Sequence, residues 1–146
     1  MFHKLLVATG GSPWSEKAVE YAVEMARDYV LDLMILHVVS EAPPYFIAEA
    51  GASLETLLVN SEEAGRVLLA EAAAKAAAAS VTCTTELVWG RVPDVVCRVA
   101  EENNCDLIVV GSRALTGFKR LMLGSISNAI ASKARCPVLV VKWYET

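Results

Sequence analysis

The sequence predicts an α/β domain built on a doubly wound parallel sheet. Apolar runs of strand length alternate with segments of helical period along the whole chain, in the order β-α-β-α-β-α-β-α-β. The runs over 33–39 and 107–110 are almost continuously apolar, which is typical of strands that are covered on both faces. The chain has 146 residues, with no internal repeat and no dividing linker. Residues 1–146 are therefore predicted to form a single domain.

The first strand and helix are marked by their flanking residues. Residues 4–9 form a short apolar run that stops at Gly10 and the glycine after it. Ser12 is a favourable N-cap, and Pro13 suits the first position of a helix. Apolar residues then recur at a spacing of 3.6, which predicts an amphipathic helix over 13–29.

The next segment contains a buried strand, a long loop and a long helix. The strand over 33–39 is interrupted only by His37. Residues 40–54 carry two prolines and several apolar side chains, which favours a loop that folds over another part of the molecule. The alanine-rich segment that ends the region 54–79 has high helix propensity and needs no functional explanation.

The remaining elements continue the alternation. They are a strand over 81–89, a helix that opens at Pro93, a strand over 107–110 that stops at Gly111, a helix over 126–134 and a last strand over 138–141.

Composition excludes several classes of protein. The longest apolar run is shorter than the roughly 18 residues that span a bilayer, and the N-terminal run is too short for a signal peptide. The net charge of −4 argues against binding to duplex nucleic acid. The four cysteines contain no Cys-x-x-Cys pair, which favours reduced, packed thiols over a metal site. We therefore expect a soluble, cytoplasmic protein that contacts neither nucleic acid nor membrane.

Charge is distributed unevenly along the chain. Residues 1–106 contain 16 acidic and 7 basic side chains, whereas residues 107–144 contain no acid and six basic side chains. Such a segment either holds a small anion or reflects the crowding of acids on earlier helices. In doubly wound sheets, ligands bind beyond the carboxyl ends of the strands, where the strand order reverses. The basic segment begins at one such end, which favours the anion site.

Two loops at that edge carry glycines. Gly10 follows the first strand, and Gly111 and Gly124 bracket the loop after the fourth strand. Glycine lets the backbone approach a phosphate closely. The free N–H groups of the helix after Gly124, with the hydroxyls of Ser125 and Ser127, are suited to phosphate oxygens. A simpler alternative gives Ser125 only the role of N-cap.

These residues resemble the signature of the universal stress protein family. That signature is Gly-x-x-Gly, nine further residues and then Gly-Ser or Gly-Thr, and here it runs from Gly111 to Gly124-Ser125. The ending over 136–141 and the opening Gly11-Ser12 are also similar to the family. The resemblance covers essentially the whole chain. It implies a flavodoxin-like, Rossmann-like sheet of five parallel strands with helices on both faces.

The resemblance also implies a ligand and an assembly. The expected ligand is ATP, with Mg²⁺ as the divalent ion bridging its phosphates, and AMP is the second choice. Residues implied for the adenosine are Ala8, Thr9, Gly10 and Val38. Residues implied for the ribose and phosphates are Val110, Gly111, Arg113, Ala114, Gly124, Ser125, Ile126 and Ser127. The expected homodimer pairs through the last strand, from Val138 to Val141, whose bare edge would otherwise stay exposed.

Two departures from the family pattern keep a rival hypothesis open. Gly10 stands where the family often has Asp, and Ala114 replaces the second glycine of the signature. The rival is a dimeric interaction module that has lost the nucleotide.

Catalytic chemistry has little support in the sequence. No Walker motif, nucleophile elbow or oriented histidine is present, so no catalytic residue and no metal ligand is assigned. His37 is interpreted as a packed residue, Asp106 as a capping or surface residue, and Glu62 and Glu63 as a solvated helix face. A sensor or regulator is therefore favoured over an enzyme, and a slow ATPase or phosphotransferase is a third hypothesis.

Overall fold

The computed structural model describes residues 1–40, 54–113 and 124–144. Five parallel strands form one sheet in the order β3-β2-β1-β4-β5. The strands are β1 (Lys4–Ala8), β2 (Asp32–Val39), β3 (Cys83–Trp89), β4 (Leu107–Arg113) and β5 (Val138–Trp143). The helices are α1 (Pro13–Tyr29), α2 (Leu54–Ala78), α3 (Val92–Glu102) and α4 (Ser125–Lys133). The predicted doubly wound sheet is confirmed.

Helices cover both faces of the sheet. On one face, α1 and α2 pack their buried residues, such as Ala22 and Leu69, against Leu5 and Val7 of β1. On the other face, α3 and α4 pack against the alternate residues of the strands, including Leu6. Because side chains alternate between faces along a strand, continuously apolar strands supply both cores at once.

Strand β4 continues past the glycine at which the sequence predicts its end. Gly111, Ser112 and Arg113 pair in register with Val141, Lys142 and Trp143 of β5. The glycine does not end the strand because the hydrogen-bond ladder to β5 carries on. Both strands therefore project further toward the carboxyl edge of the sheet than predicted.

Gly111 is required where α1 crosses β4. A Cβ atom at this position would overlap the backbone carbonyl group of Trp14 and would lie 2.9 Å from the backbone nitrogen of Ser15. The first turn of α1 thus rests directly on the β4 backbone. The glycine that the signature assigns to a ligand also has this packing role.

Asp106 fastens the N-terminus to the start of β4. Its carboxylate accepts hydrogen bonds from the backbone N–H of His3 at 2.8 Å and of Lys4 at 3.1 Å, and the His3 ring nitrogen Nδ1 lies 3.3 Å away. Partial burial raises the pKa of Asp106, but the hydrogen bonds from His3 and Lys4 outweigh it, so its pKa lies below the usual value. Asp106, predicted to be a capping or surface residue, is thus a half-buried acceptor for the backbone at the start of β1.

All four cysteines are free thiols, as the sequence predicts. Cys105 is buried, and Cys83, Cys97 and Cys136 are half-buried. Burial raises the pKa of Cys105 to about 11, which leaves this thiol protonated and unreactive near neutral pH.

Replacement of Asp106 by Asn should destabilise the protein in a pH-dependent way. The folded-state pKa is lowered, so the contribution of this carboxylate is present above the unfolded pKa of about 3.9 and is lost as the pH falls through the folded value. Because the side chain is partly exposed, we expect a loss of about 1 kcal/mol at pH 7. Urea unfolding at pH 7 and below pH 4 measures it.

The matched control is Asp32→Asn, since Asp32 is an exposed aspartate at the start of the neighbouring strand. It should change the free energy of unfolding by less than about 0.5 kcal/mol. An Asp106→Asn cost that stays constant at every pH would contradict the assignment.

Replacement of Gly111 by Ala should destabilise the fold by about 1–3 kcal/mol, because α1 must move away from β4 to admit the methyl group. Thermal or urea unfolding measures this cost. Gly10→Ala is the control, since a Cβ atom at Gly10 meets nothing within 4 Å. Equal stability of the two variants would show that α1 does not rest on Gly111.

Candidate functional site

A cavity of about 250 Å³ lies at the carboxyl edge of the sheet, between β1 and β4, where the strand order reverses. Helix α1, which follows β1, packs on one face of the sheet, and α4, which follows β4, packs on the other face. We call it the inner cavity. Seven of the predicted site residues line it: Ala8, Thr9, Gly10, Val38, Val110, Gly111 and Ile126.

A second, larger cavity of about 470 Å³ adjoins the first. We call it the outer cavity. Its lining includes Ser125 and Ile126 of α4 together with Arg91 and Val92 from the start of α3. Val92 and Ile126 also line the inner cavity, so these two side chains form the common wall. Ile126 is 50% exposed, although it is a large apolar residue.

The turn after β1 is fixed by two serines. Ser12 caps α1, and its hydroxyl accepts a hydrogen bond from the backbone N–H of Ser15 at 3.1 Å. The Ser15 hydroxyl donates to the Ser12 carbonyl at 2.9 Å and accepts from the Gly10 N–H at 3.2 Å. Gly11 has φ of +82°, a conformation that suits glycine. The predicted cap at Ser12 is confirmed, and Ser15 is a residue that the sequence reasoning missed.

His37 of β2 stabilises the same turn through a hydrogen bond to its backbone. Its Nδ1 lies 2.7 Å from the carbonyl oxygen of Thr9, and since a carbonyl only accepts, this nitrogen donates. On its other side the ring packs against Gly65 of α2, where a Cβ atom would lie 2.9 Å from Nε2. The prediction of a packed histidine with a satisfied nitrogen is confirmed.

Ser112 organises the corner where β4 meets α4. Its Oγ accepts a hydrogen bond from the Gly124 N–H at 2.9 Å and lies 3.1 Å from the Oγ of Ser127. The Ser127 hydroxyl also donates to the carbonyl oxygen of Gly124 at 2.9 Å, and Ser127 is only 2% exposed. Gly124 and Ser127 line neither cavity, and the phosphate contacts implied for them stay predictions.

Helix α4 begins one residue earlier than predicted. Gly124 is its N-cap and makes no side-chain cap, whereas Ser125 is the first helical residue. The first intrahelical hydrogen bond runs from the Asn128 N–H to the Gly124 carbonyl at 3.1 Å. The N–H groups of residues 125–127 thus have no acceptor within the helix. The N-cap role considered for Ser125 is wrong because the αR backbone starts at that residue.

Arg113 and Ala114, the two remaining predicted site residues, have no described contact with either cavity. Arg113 is an exposed residue at the end of β4, paired in register with Trp143, and it lines neither cavity. Ala114 and most of the loop over 40–54 lie outside the described residues. The implied contacts of Arg113 and Ala114 stay predictions.

Glu62 has a specific partner. Its Oε1 accepts a hydrogen bond from the indole N–H of Trp89 at 2.8 Å, which joins α2 to the end of β3. Glu63 is exposed, as predicted for a solvated helix face, whereas Glu62 is half-buried and serves as the acceptor that the Trp89 N–H needs.

The described lining of the two cavities is suited to binding rather than to acid–base chemistry. It consists of apolar side chains, hydroxyls and backbone groups, and within residues 1–40, 54–113 and 124–144 Arg91 is its only charged side chain. In the same part of the chain, no group of three or more His, Cys, Asp or Glu residues could hold a metal ion. None of the described helices combines the length and apolar character needed to cross a membrane.

Sequence and structure comparisons agree on one family. A model described as the universal stress protein family matches residues 1–142. The universal stress protein YxiE of Bacillus subtilis is 36% identical, covering 97% of this chain and all of the relative.

Solved structures of the same type superpose on the whole chain. A protein of this family from Burkholderia pseudomallei is 28% identical, with a TM-score of 0.76 and coverage of 96% of each chain. A universal stress protein in complex with cAMP is 26% identical, with a TM-score of 0.71 and coverage of 96% of this chain and 97% of the other. Together with the matched residues 1–142 and the five-stranded sheet order, these similarities show that the chain belongs to the universal stress protein family.

Proposed function

We propose that this protein binds an adenine nucleotide at the carboxyl edge of its sheet and acts as a sensor or regulator in the cytoplasm. The observation that carries the proposal is the inner cavity, whose lining brings together seven of the residues implied by the resemblance, from β1 and the turn after it, β2, β4 and α4. ATP is the first-choice ligand, and AMP is the second.

The chemistry of the lining suits a nucleoside. Ala8, Val38 and Val110 offer apolar surface to a flat base, and the backbone at Gly10 and Gly111 offers polar groups to a sugar. The position of Gly10 is open, since a Cβ atom there would meet no atom within 4 Å. The similar protein solved with cAMP supports the class of ligand.

A divalent ion would have to be held mainly by the nucleotide. None of the described residues that line the two cavities is a carboxylate. Mg²⁺ prefers oxygen ligands and keeps several waters, so phosphate oxygens and water would complete its coordination. The same lack of a carboxylate among these residues favours binding over hydrolysis, because no group there is placed to activate a water molecule.

The rival function is a family module that acts through protein contacts without a nucleotide. Two observations favour it: Gly10 supplies no carboxylate for the sugar, and the N–H of Gly124 is already satisfied by Ser112. The assay of nucleotide binding below separates the two functions.

The leading and rival functions both include a homodimer through β5. This strand is the last in the sheet order, so its outer edge has no neighbouring strand among the described residues. Leu139, in the stretch from Val138 to Val141, is 37% exposed. At the end of the strand, Trp143 packs on Trp14 with ring centroids 5.9 Å apart. An apolar strand edge of this kind favours pairing with a second copy.

Sedimentation equilibrium tests the dimer. We expect about twice the chain mass of 15.7 kDa for the wild type and the monomer mass for Leu139→Lys, because a charge on an edge strand opposes pairing. The control is Val67→Lys, which replaces a 56% exposed apolar residue of α2, a helix that packs on β2 and β3 toward the opposite edge of the sheet, and it should keep the dimer mass. A wild-type monomer at all concentrations would contradict the assembly.

Nucleotide binding is tested directly on freshly purified protein. Adenine nucleotide should appear in the supernatant after denaturation, and added ATP with Mg²⁺ should raise the melting temperature. A ligand at 100 times its Kd stabilises the folded state by about 2.7 kcal/mol. If no nucleotide co-purifies and millimolar ATP or AMP causes no shift, the interaction module is the better account.

Gly10→Asp should strengthen nucleotide binding in the same assay. The open position accepts the side chain, and a carboxylate can accept hydrogen bonds from sugar hydroxyls, each contributing about 1.5–3 kcal/mol. We expect a roughly tenfold lower Kd, measured by isothermal titration calorimetry, and no gain for the control Gly10→Ala. Weaker binding by Gly10→Asp would show that no sugar lies beside this residue.

A further inference from the structure

We propose that Arg91, at the turn between β3 and α3, recognises the phosphate chain of the bound nucleotide from across the outer cavity. This inference rests on the proposed function and goes beyond it, because neither the family signature nor the resemblance assigns a role to this turn. It makes Arg91 a specificity residue that distinguishes nucleotides from nucleosides.

The two cavities are arranged to hold a ligand with two unlike ends. They share Val92 and Ile126 as a common wall. The inner cavity is the smaller, and its described lining contains no charged side chain. The outer cavity is larger and is bordered by Arg91 and by the hydroxyl-bearing Ser40 and Ser125. A base and sugar fit the first environment, and an anionic chain fits the second.

The positive charge of Arg91 is not paired with a carboxylate of the described residues. The nearest acid on the same helix, Asp94, forms an ion pair with Lys133 of α4. The pKa of Asp94 is lowered first by this hydrogen bond from Lys133 and only weakly by the charge of Arg91. Among the described residues, no carboxylate forms an ion pair or a hydrogen bond with the Arg91 guanidinium.

The backbone holds Arg91 in place, whereas its side chain stays free to reach a ligand. Gly90, with φ of +147°, donates its N–H to the Val39 carbonyl at 3.0 Å and so joins the turn to the end of β2. The Arg91 carbonyl accepts from the Val95 N–H at 3.0 Å. Arg91 is the N-cap of α3, but its side chain makes no capping hydrogen bond.

The hydrogen bonds at the start of α4 give an independent reason to expect a phosphate ligand on another part of the outer cavity. The Gly124 N–H donates to the Oγ of Ser112. The Ser127 hydroxyl donates to the Gly124 carbonyl oxygen and also lies beside the Ser112 Oγ. These two groups therefore have little left for a phosphate. An arginine can compensate, because its planar guanidinium makes paired, charge-assisted hydrogen bonds to phosphate oxygens.

The test compares adenosine, AMP and ATP by isothermal titration calorimetry at fixed ionic strength. The variants are Arg91→Gln, Arg91→Lys and a control, Arg98→Gln, which removes an exposed arginine two turns further along α3 that pairs with Glu102. We expect Arg91→Gln to weaken ATP and AMP binding about tenfold or more and to leave adenosine within about twofold of the wild type. Arg91→Lys should retain part of the affinity, and Arg98→Gln all of it.

Three outcomes would overturn the proposed role of Arg91. An equal loss for adenosine and ATP would assign Arg91 a structural role, and unchanged ATP binding would remove it from recognition; either overturns the inference while the proposed function stands. If the wild type binds none of the three compounds, the proposed function is wrong and the inference falls with it. In support, raising the salt concentration should reduce the preference for ATP over adenosine more in the wild type than in Arg91→Gln, because screening weakens the charge contact.

Discussion

The position of β1 between β2 and β4 is the constraint on which the site depends. The chain moves outward from β1 through β2 to β3, and then returns to place β4 and β5 on the other side. At the carboxyl edge, the turn after β1 and the corner after β4 therefore face each other with no strand between them. The direct contact of α1 with Gly111 fixes how far apart they stand, because the helix can approach only where β4 has no Cβ atom.

Polar groups at this edge have two separate tasks. One set of side chains forms hydrogen bonds within the protein and fixes the turn after β1 and the corner after β4. This set consists of Ser12, Ser15, His37 and Ser112. Groups on the cavity side, above all the first-turn N–H groups of α4, have no such partner within the helix. A rigid support behind backbone donors that the helix itself does not use suits a preformed binding site, since less order has to be gained when the ligand arrives.

Sequence patterns predicted the architecture because the central strands β1, β2 and β4 are buried on both faces, and because α1 and α3 each have a clear apolar side. The boundaries that failed have local causes. Gly111 predicts a strand end, but pairing with β5 overrides the low strand propensity of glycine. The alternative N-cap role of Ser125 fails because the preceding glycine takes that position. The partner of Glu62 is a tryptophan 27 residues away, which no local pattern reveals.

Two different kinds of evidence predicted the candidate site. The reversal of strand order points to the loops after β1 and β4, whereas the individual lining residues, such as Ala8, Val38 and Val110, are implied by the resemblance to the universal stress protein family. The turn after β3 ends at the same edge, and Gly90 marks it in the sequence. Arg91 was nevertheless missed, because only the sheet order and the shared wall of Val92 and Ile126 show that this turn reaches the same space.

A crystal structure of the protein grown with ATP and Mg²⁺ tests the central claim most directly. The account predicts the adenosine between Ala8–Gly10 and Val110–Gly111, with its phosphates beyond Ile126. Density for the nucleotide at any other surface, or an edge closed by side chains at saturating ATP, would contradict it.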